Sequence, residues 1–103
     1  MSDMMKNANA PLVEGKYLMY KERPLVREGD TICYGDMTEK YILVMEIMTY
    51  KNDAGEQLPD QILVQVLESG NMSKIVRQGF MTGLQEAFAS GLKWLEHALA
   101  QSV

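Results

Sequence analysis

The chain has 103 residues, which is the size of one domain, and a formal net charge of −4. Its Lys and Arg residues are scattered rather than gathered into a basic stripe, so nucleic-acid binding, which depends on neutralising phosphates, is disfavoured. One cysteine cannot form an intramolecular disulfide, and no stretch approaches the ~20 apolar residues that span a bilayer. We expect a cytoplasmic protein of a bacterial type, with neither a nucleic-acid nor a membrane partner.

The N-terminal segment, residues 1–11, differs from the rest of the chain. It is mostly small and polar, shows no hydrophobic periodicity and ends at Pro11. Such a segment is typical of a flexible arm. We therefore expect an arm over residues 1–11 and a single domain over residues 12–103.

Short β-strands separated by turns follow the arm. The pattern predicts one strand from Lys16 to Tyr20 and another from Thr31 to Tyr34, with a turn or bulge at Glu28-Gly29-Asp30 before the second. Pro24 lacks a backbone donor, which predicts that it interrupts strand pairing in the turn "KERP". The stretch "GDMTE" after Tyr34 predicts a further turn, because short polar side chains bond back to their own backbone there.

A hairpin is predicted in the middle of the chain. Its strands run from Lys40 to Tyr50 and from Gln61 to Glu68, on either side of the strong turn signal "KNDAGEQLPD". A four-residue loop from Ala54 to Gln57 would place Glu46 opposite Gln65. Strands joined by short turns in this way indicate an antiparallel meander.

The C-terminal part changes from strand to helix. The last strand is predicted from Lys74 to Gln78. From Thr82 onward, apolar residues recur at ~100° per residue, which indicates a helix. Thr82 and Gln85 match a capping box at the helix start. Gly91 falls on the apolar stripe, which predicts a close approach of the helix to the sheet. The other members of the stripe are Leu84, Ala87, Phe88, Leu92, Leu95, Ala98 and Leu99, with Trp94 at its border.

These elements predict an α+β fold, in which an antiparallel meander of four to five strands carries one C-terminal helix on one face. Alternation in the central hairpin assigns an uninterrupted apolar side, with Leu43, Met45 and Val64 among its members, to the helix. We call the other side of the sheet the second face. Its predicted members are Ile42, Val44, Glu46, Met48, Tyr50, Leu63, Gln65 and Leu67.

The second face is more apolar than a solvent-exposed sheet side should be, with Glu46 and Gln65 as its clearly polar members. A large apolar patch on a monomer is typical of an interaction surface. Two interpretations stay open at this point. One is that the face is an interface for a second copy or another protein. The other is that either strand curvature or the first 30 residues cover it.

Cys33 is the candidate for chemistry, since a thiolate is a strong nucleophile when a base lies nearby. The chain's one histidine, His97, falls on the polar side of the helix together with Glu86, Lys93 and Glu96. This placement favours a buried, structural Cys33. A zinc site would need several Cys or His ligands, and the chain has one of each, so we expect no metal and no cofactor.

The sequence therefore favours a non-enzymatic protein-interaction module, a homodimer formed through the second face. The alternative is a small-ligand-binding domain or minor enzyme with its pocket between the helix and the sheet edge, near Cys33, Tyr34 and Trp94.

Overall fold

The structure, a computed structural model, describes residues 17–101. The predicted arm over residues 1–11 lies outside the described residues. Within these described residues, eight strands precede one helix in chain order: β1 (Tyr17–Tyr20), β2 (Arg23–Glu28), β3 (Thr31–Tyr34), β4 (Tyr41–Ile47), β5 (Tyr50–Asp53), β6 (Glu56–Pro59), β7 (Gln61–Glu68), β8 (Asn71–Thr82) and α1 (Leu84–Gln101).

The fold is α+β, as predicted, but it has more strands than expected. Six strands form one antiparallel sheet in the order β1-β2-β3-β4-β7-β8, and β5 pairs with β6 in a separate two-stranded sheet. All neighbouring strands of the main sheet are antiparallel. The order is a meander in which the β5–β6 hairpin extends the connection between β4 and β7.

The register of the central hairpin was predicted wrongly by two residues. Glu46 lies opposite Leu63, and Gln65 lies opposite Val44. The reason is the loop, which contains only Ala54 and Gly55 between the paired residues of β5 and β6. Both residues have positive φ, 53° and 86°, as in the two-residue turns that match strand twist. Since side chains alternate with a period of two, a two-residue shift leaves each side chain on its predicted face.

Pro24 does not interrupt the strand, contrary to the sequence prediction. It lies within β2, opposite Met19 of β1, and its carbonyl accepts a hydrogen bond from the Gly35 amide at 3.0 Å. In an antiparallel strand, the amide and the carbonyl of one residue point toward the same neighbouring strand. The nitrogen of Pro24, which carries no hydrogen, therefore faces Gly35, just beyond the end of β3. The preceding turn consists of Lys21 and Glu22, which have φ of 50° and 68°.

The stretch "GDMTE" forms the predicted turn between β3 and β4. The Asp36 carboxylate accepts hydrogen bonds from the Thr38 amide at 2.9 Å and from the Thr38 hydroxyl at 2.8 Å. These bonds lower the pKa of Asp36. Glu39 accepts a bond from Arg23 Nε at 2.7 Å, which ties the turn to the start of β2.

β8 is much longer than the predicted strand, and the predicted capping box is absent. Thr82 is the last residue of β8 and lies opposite Gln61, so it does not begin the helix. Gly83 joins the two elements with φ of 87°, donates its amide to the Asp60 carbonyl and accepts from the Ala87 amide. A positive φ is available to glycine without the cost that a Cβ would add, which allows an abrupt change from strand to helix.

The apolar stripe of α1 packs on the sheet as predicted. Leu84, Ala87, Phe88, Gly91 and Leu95 are buried, and the four that carry side chains belong to the main core cluster. A Cβ at Gly91 would lie 2.7 Å from Leu43 Cδ1 and 3.0 Å from Val64 Cγ1, so glycine sets the close approach of helix and sheet. Within residues 17–101, no helix is both long and apolar enough to cross a membrane.

Candidate functional site

Strand register defines the second face of the sheet in three rows, because residues opposite each other in antiparallel strands share a face. The central row crosses five strands, and Gln65 and Gln78 supply its polar end. The three rows are Val26, Cys33, Val44, Gln65 and Gln78; Glu28, Thr31, Glu46, Leu63 and Phe80; and Ile42, Leu67 and Ile75.

The middle of the second face is buried within the chain. Ile42, Val44 and Leu67 form a second hydrophobic cluster, against which Cys33 packs. Three of the predicted interface residues therefore have little surface left to offer. Part of the exposed apolar surface of this face lies beside the cluster on β8, where Phe80 is 62% exposed and Ile75 is 43% exposed.

The polar residues of the second face are satisfied or lie near its end. Gln65 Nε2 donates to Gln78 Oε1 at 3.0 Å, so the two amides bond each other across β7 and β8. Glu46 is exposed and accepts a long contact from the Thr31 hydroxyl at 3.4 Å. The sequence had suggested that Glu46 lies opposite Gln65. In the described chain Gln65 bonds Gln78 instead.

Of the remaining predicted interface residues, Leu63 is half-buried and Met48 is exposed, whereas Tyr50 lies elsewhere. The Tyr50 hydroxyl donates to Asp30 Oδ1 at 2.6 Å and accepts from Arg27 Nη2 at 3.2 Å. The bond to Asp30 raises the pKa of Tyr50. Tyr50 also lines a cavity of about 320 Å³ together with Leu84 at the start of the helix, so its placement on the second face was wrong.

An apolar cavity of about 370 Å³ opens on the second face beside Cys33. Pro24, Val26, Met37 and Ile42 line it. Burial raises the pKa of the Cys33 thiol, and the nearby Glu28 and Glu46 carboxylates raise it further. The raised pKa favours the neutral thiol, so Cys33 is a poor nucleophile. Its side chain serves as part of the cavity lining.

Cys33, Tyr34 and Trp94 do not converge on one pocket. Tyr34 is buried on the helix side, where its hydroxyl donates to the Tyr20 carbonyl at 2.8 Å and its ring packs edge-on against Phe88. Cys33 faces the opposite side of the sheet. Trp94 lies over β8, where a Cβ at Gly79 would meet its ring at 3.1 Å. Cys33 and Tyr34 both line the cavity on the second face, whereas Trp94 lines a separate one, so no described cavity contains all three.

Phe80 and Ile75 were missed by the sequence prediction of the second face. The predicted last strand ended at Gln78, so Phe80 fell into a loop, and Ile75 was not assigned to a face. Phe80 could have been found by continuing the strand alternation beyond Gln78, since Gln78, Phe80 and Thr82 fall on the same side of the sheet. Ile75 reaches this face through an irregularity in β8 that no local sequence pattern marks.

Comparison with known proteins gives no match: no family model, no curated protein and no solved structure is significantly similar to this chain. Among residues 17–101, no three His, Cys, Asp or Glu side chains gather in a group that could hold a metal ion.

Proposed function

We propose that the protein is a non-enzymatic interaction module that self-associates through the second face of its sheet. The observation that carries this proposal is the exposure of Phe80 and Ile75 beside an already buried apolar cluster. An aromatic side chain buries 150–250 Å² when it is covered, so leaving Phe80 in water forgoes a large hydrophobic gain. A second copy of the chain would recover that gain.

The dimensions of the second face suit a dimer. With adjacent strands about 4.8 Å apart and a rise of about 3.4 Å per residue, five spacings and a seven-residue strand give a face of roughly 24 Å by 24 Å. This footprint of roughly 600 Å² is close to the ~800 Å² that each protein contributes to an interface of standard size. Because Ile42, Val44 and Leu67 are already buried, the area open to a second copy is smaller than this footprint, which suits a weak or transient dimer.

The second face also contains a projection and a recess that suit each other. Phe80 projects from β8 at one edge, and the apolar cavity beside Cys33 opens near the ends of β2 and β3. In a two-fold dimer, each contact occurs twice, because residue i of one copy meets residue j of the other and the reverse. We propose that Phe80 of each copy enters the cavity of the other.

Polar groups on this face favour association over catalysis. The Gln65 and Gln78 amides bond each other within the chain, so covering them leaves fewer unsatisfied groups. Glu46 stays near the end of the face, where a carboxylate can remain solvated. The thiol of Cys33, whose pKa is raised, is held in its unreactive form.

We place this module in a bacterial-type cytoplasm. The single cysteine supports a reducing compartment, since it leaves no intramolecular disulfide to be formed. Fractionation of the source cell would test the compartment directly.

The test is the mass in solution, measured by light scattering over a range of protein concentrations. We expect the unaltered chain to be a dimer and Ile75→Lys and Phe80→Lys to be monomers. Val76→Lys is the matched control: Val76 is the next residue of β8 and is also 43% exposed, but it lines a cavity on the helix side. This variant should remain a dimer.

A monomeric mass for the unaltered chain at the highest concentration would exclude self-association and leave the second face to a different protein. Equal loss of the dimer in Ile75→Lys and Val76→Lys would show that the interface is not the second face.

A further inference from the structure

A second cavity lies on the helix side of the sheet, between the C-terminal half of α1 and the edge strand β8. Its volume is about 310 Å³, at the lower end of the range for small-molecule sites. Apolar and aromatic side chains line it together with three polar ones. The lining consists of Tyr41, Val66, Val76, Arg77, Trp94, His97, Ala98 and Gln101.

A bulge in β8 turns two side chains toward this cavity. Val66 lies opposite Arg77 and Leu67 lies opposite Ile75, so Val76 is an additional residue in β8. Bulges re-aim side chains, and here Val76 and Arg77, although consecutive, both line the same cavity.

Gly79 makes room for the aromatic wall. A Cβ at this position would come within 3.1 Å of Trp94 Cη2, closer than an ordinary van der Waals contact. Because Gly79 has no side chain, the Trp94 ring can lie against β8 directly. The ring in turn supports Arg77, whose guanidinium carbon is 4.4 Å from the ring centroid.

Arg77 gives the cavity a positive charge that no lining carboxylate within residues 17–101 neutralises. Ion pairs in the described chain, such as those of Arg23 with Glu39 and Lys74 with Glu68, do not include Arg77. No Asp or Glu among residues 17–101 lines the cavity. A guanidinium stacked on an aromatic ring keeps its N–H edges available for a carboxylate, which they bind in a paired geometry.

His97 and Gln101 complete the polar side of the cavity. They lie four residues apart on α1, one helical turn from each other, so both face the same region. Each can donate a hydrogen bond to an anion that Arg77 holds. Val66, Val76 and Ala98 offer an apolar surface beside these donors.

We propose that this cavity binds a small organic monocarboxylate with an apolar body. The carboxylate bonds Arg77 with support from His97 and Gln101, and the apolar body packs against Trp94 and Val76. The volume admits a body the size of one aromatic ring or a short alkyl chain. The site lies on the opposite side of the sheet from Phe80 and Ile75, so it is independent of self-association.

The chain carries its own reporters of binding. Trp94 is the only tryptophan and His97 is the only histidine of the sequence, and both line this cavity. Phenylacetate and hexanoate would be titrated while the fluorescence of Trp94 and the ring-proton resonance of His97 are recorded. We expect saturable changes in both signals, and no comparable change with phenylacetamide, which has the same ring and no charge.

Variants of Arg77 test the anchor. We expect Arg77→Gln to bind phenylacetate about tenfold more weakly or worse, because a charge-assisted bond is lost, and Arg77→Lys to be intermediate, because it keeps the charge without the paired donors. Lys74→Gln removes a charge from the same strand outside the cavity and should bind as the unaltered chain does. A circular-dichroism melt of each variant confirms that it is folded.

The carboxylate could belong to a free acid or to the end of a peptide. A dipeptide that ends in phenylalanine separates these sources, and it is tested with a free and with an amidated C-terminus. If the form with the free carboxylate binds more tightly than phenylacetate, the site takes a peptide terminus. If it binds more weakly, the site takes a free acid. The proposal is overturned if Trp94 and His97 respond to neither acid, if phenylacetamide binds as well as phenylacetate, or if a folded Arg77→Gln variant binds with unchanged affinity.

Discussion

The two faces of the same sheet differ in how completely they are buried. On the helix-covered face, Leu43, Met45 and Val64 are fully buried under α1, and even the helix backbone comes close at Gly91. On the second face, a small buried cluster adjoins two exposed apolar side chains of β8, Ile75 and Phe80, with Gln78 between them. One face therefore holds the core that stabilises the fold, and we expect changes at Phe80 and Ile75 on the other face to have little effect on it.

The largest loss of stability is expected from a substitution at Leu95, which is fully buried at the centre of the helix stripe. Leu95→Ala should lower the free energy of unfolding by about 2–5 kcal/mol, because it removes packed methyl groups and leaves a cavity. A urea melt measures the loss. Glu86→Ala on the exposed side of α1 is the control and should change stability by less than about 0.5 kcal/mol. Equal losses would mean that α1 is not docked through this stripe.

Gly91 provides a finer test of the helix-covered face. Alanine favours helix by about 1 kcal/mol over glycine, but overpacking a core typically costs about 1–3 kcal/mol. Since the new Cβ would lie 2.7 Å from Leu43 Cδ1, we expect Gly91→Ala to destabilise the fold by about 1 kcal/mol net in the same melt. Ser90→Ala, one residue earlier, gains helix propensity without facing Leu43 and should be neutral or stabilising. A Gly91→Ala variant as stable as Ser90→Ala would mean that the contact is loose.

The second face should respond in assembly rather than in stability. Phe80→Cys places a thiol on β8, while Cys33 lies on β3, three strand spacings or roughly 14 Å away. This is beyond the ~7 Å between Cα atoms that a disulfide can bridge. Oxidation should therefore give a covalent dimer on a non-reducing gel, through bonds between the introduced thiol of one copy and Cys33 of the other. Val76→Cys, on the helix side, is the control and should give little dimer.

The smallest expected effect is a change in the stability of the fold with pH, through the Cys33 thiol on the second face. The folded chain raises the pKa of Cys33, so the stability that comes from the neutral thiol is present below the unfolded pKa near 9 and declines as pH rises through the folded pKa. In the alkaline interval above pH 9, the unaltered chain should lose slightly more stability than Cys33→Ala. Thermal melts across this interval measure the difference. Parallel curves would indicate an unperturbed thiol.

Sequence reasoning predicted the two faces better than the pairing of the strands. Alternation assigned Leu43 and Val64 to the helix side and Val44 to the other side correctly, because a side chain's face depends only on whether its position is odd or even. The register depends on the turn, and Ala54 gave no sign of the positive φ that shortens the loop. Asn or Asp at this position would have been the usual signal.

The functional surfaces were the least predictable part. The cavity beside Arg77 needs three separate features, the bulge at Val76, the bare backbone at Gly79 and the position of Trp94 over β8. Each is set by contacts between elements that are distant in the sequence, and local patterns do not record them. Trp94 was correctly placed at the border of the helix stripe, but its partner strand could not be read from periodicity.

Every strand described in this domain precedes its helix along the chain. During synthesis all residues of the sheet are therefore added before Leu84, and the residues that α1 will cover lack that cover until the helix is complete. Exposed apolar strands in such a partly made chain are prone to aggregate. The eighteen residues of α1 thus act as a late cover that the chain supplies to itself, and a chain cut short before Leu84 would leave the helix side of the sheet bare.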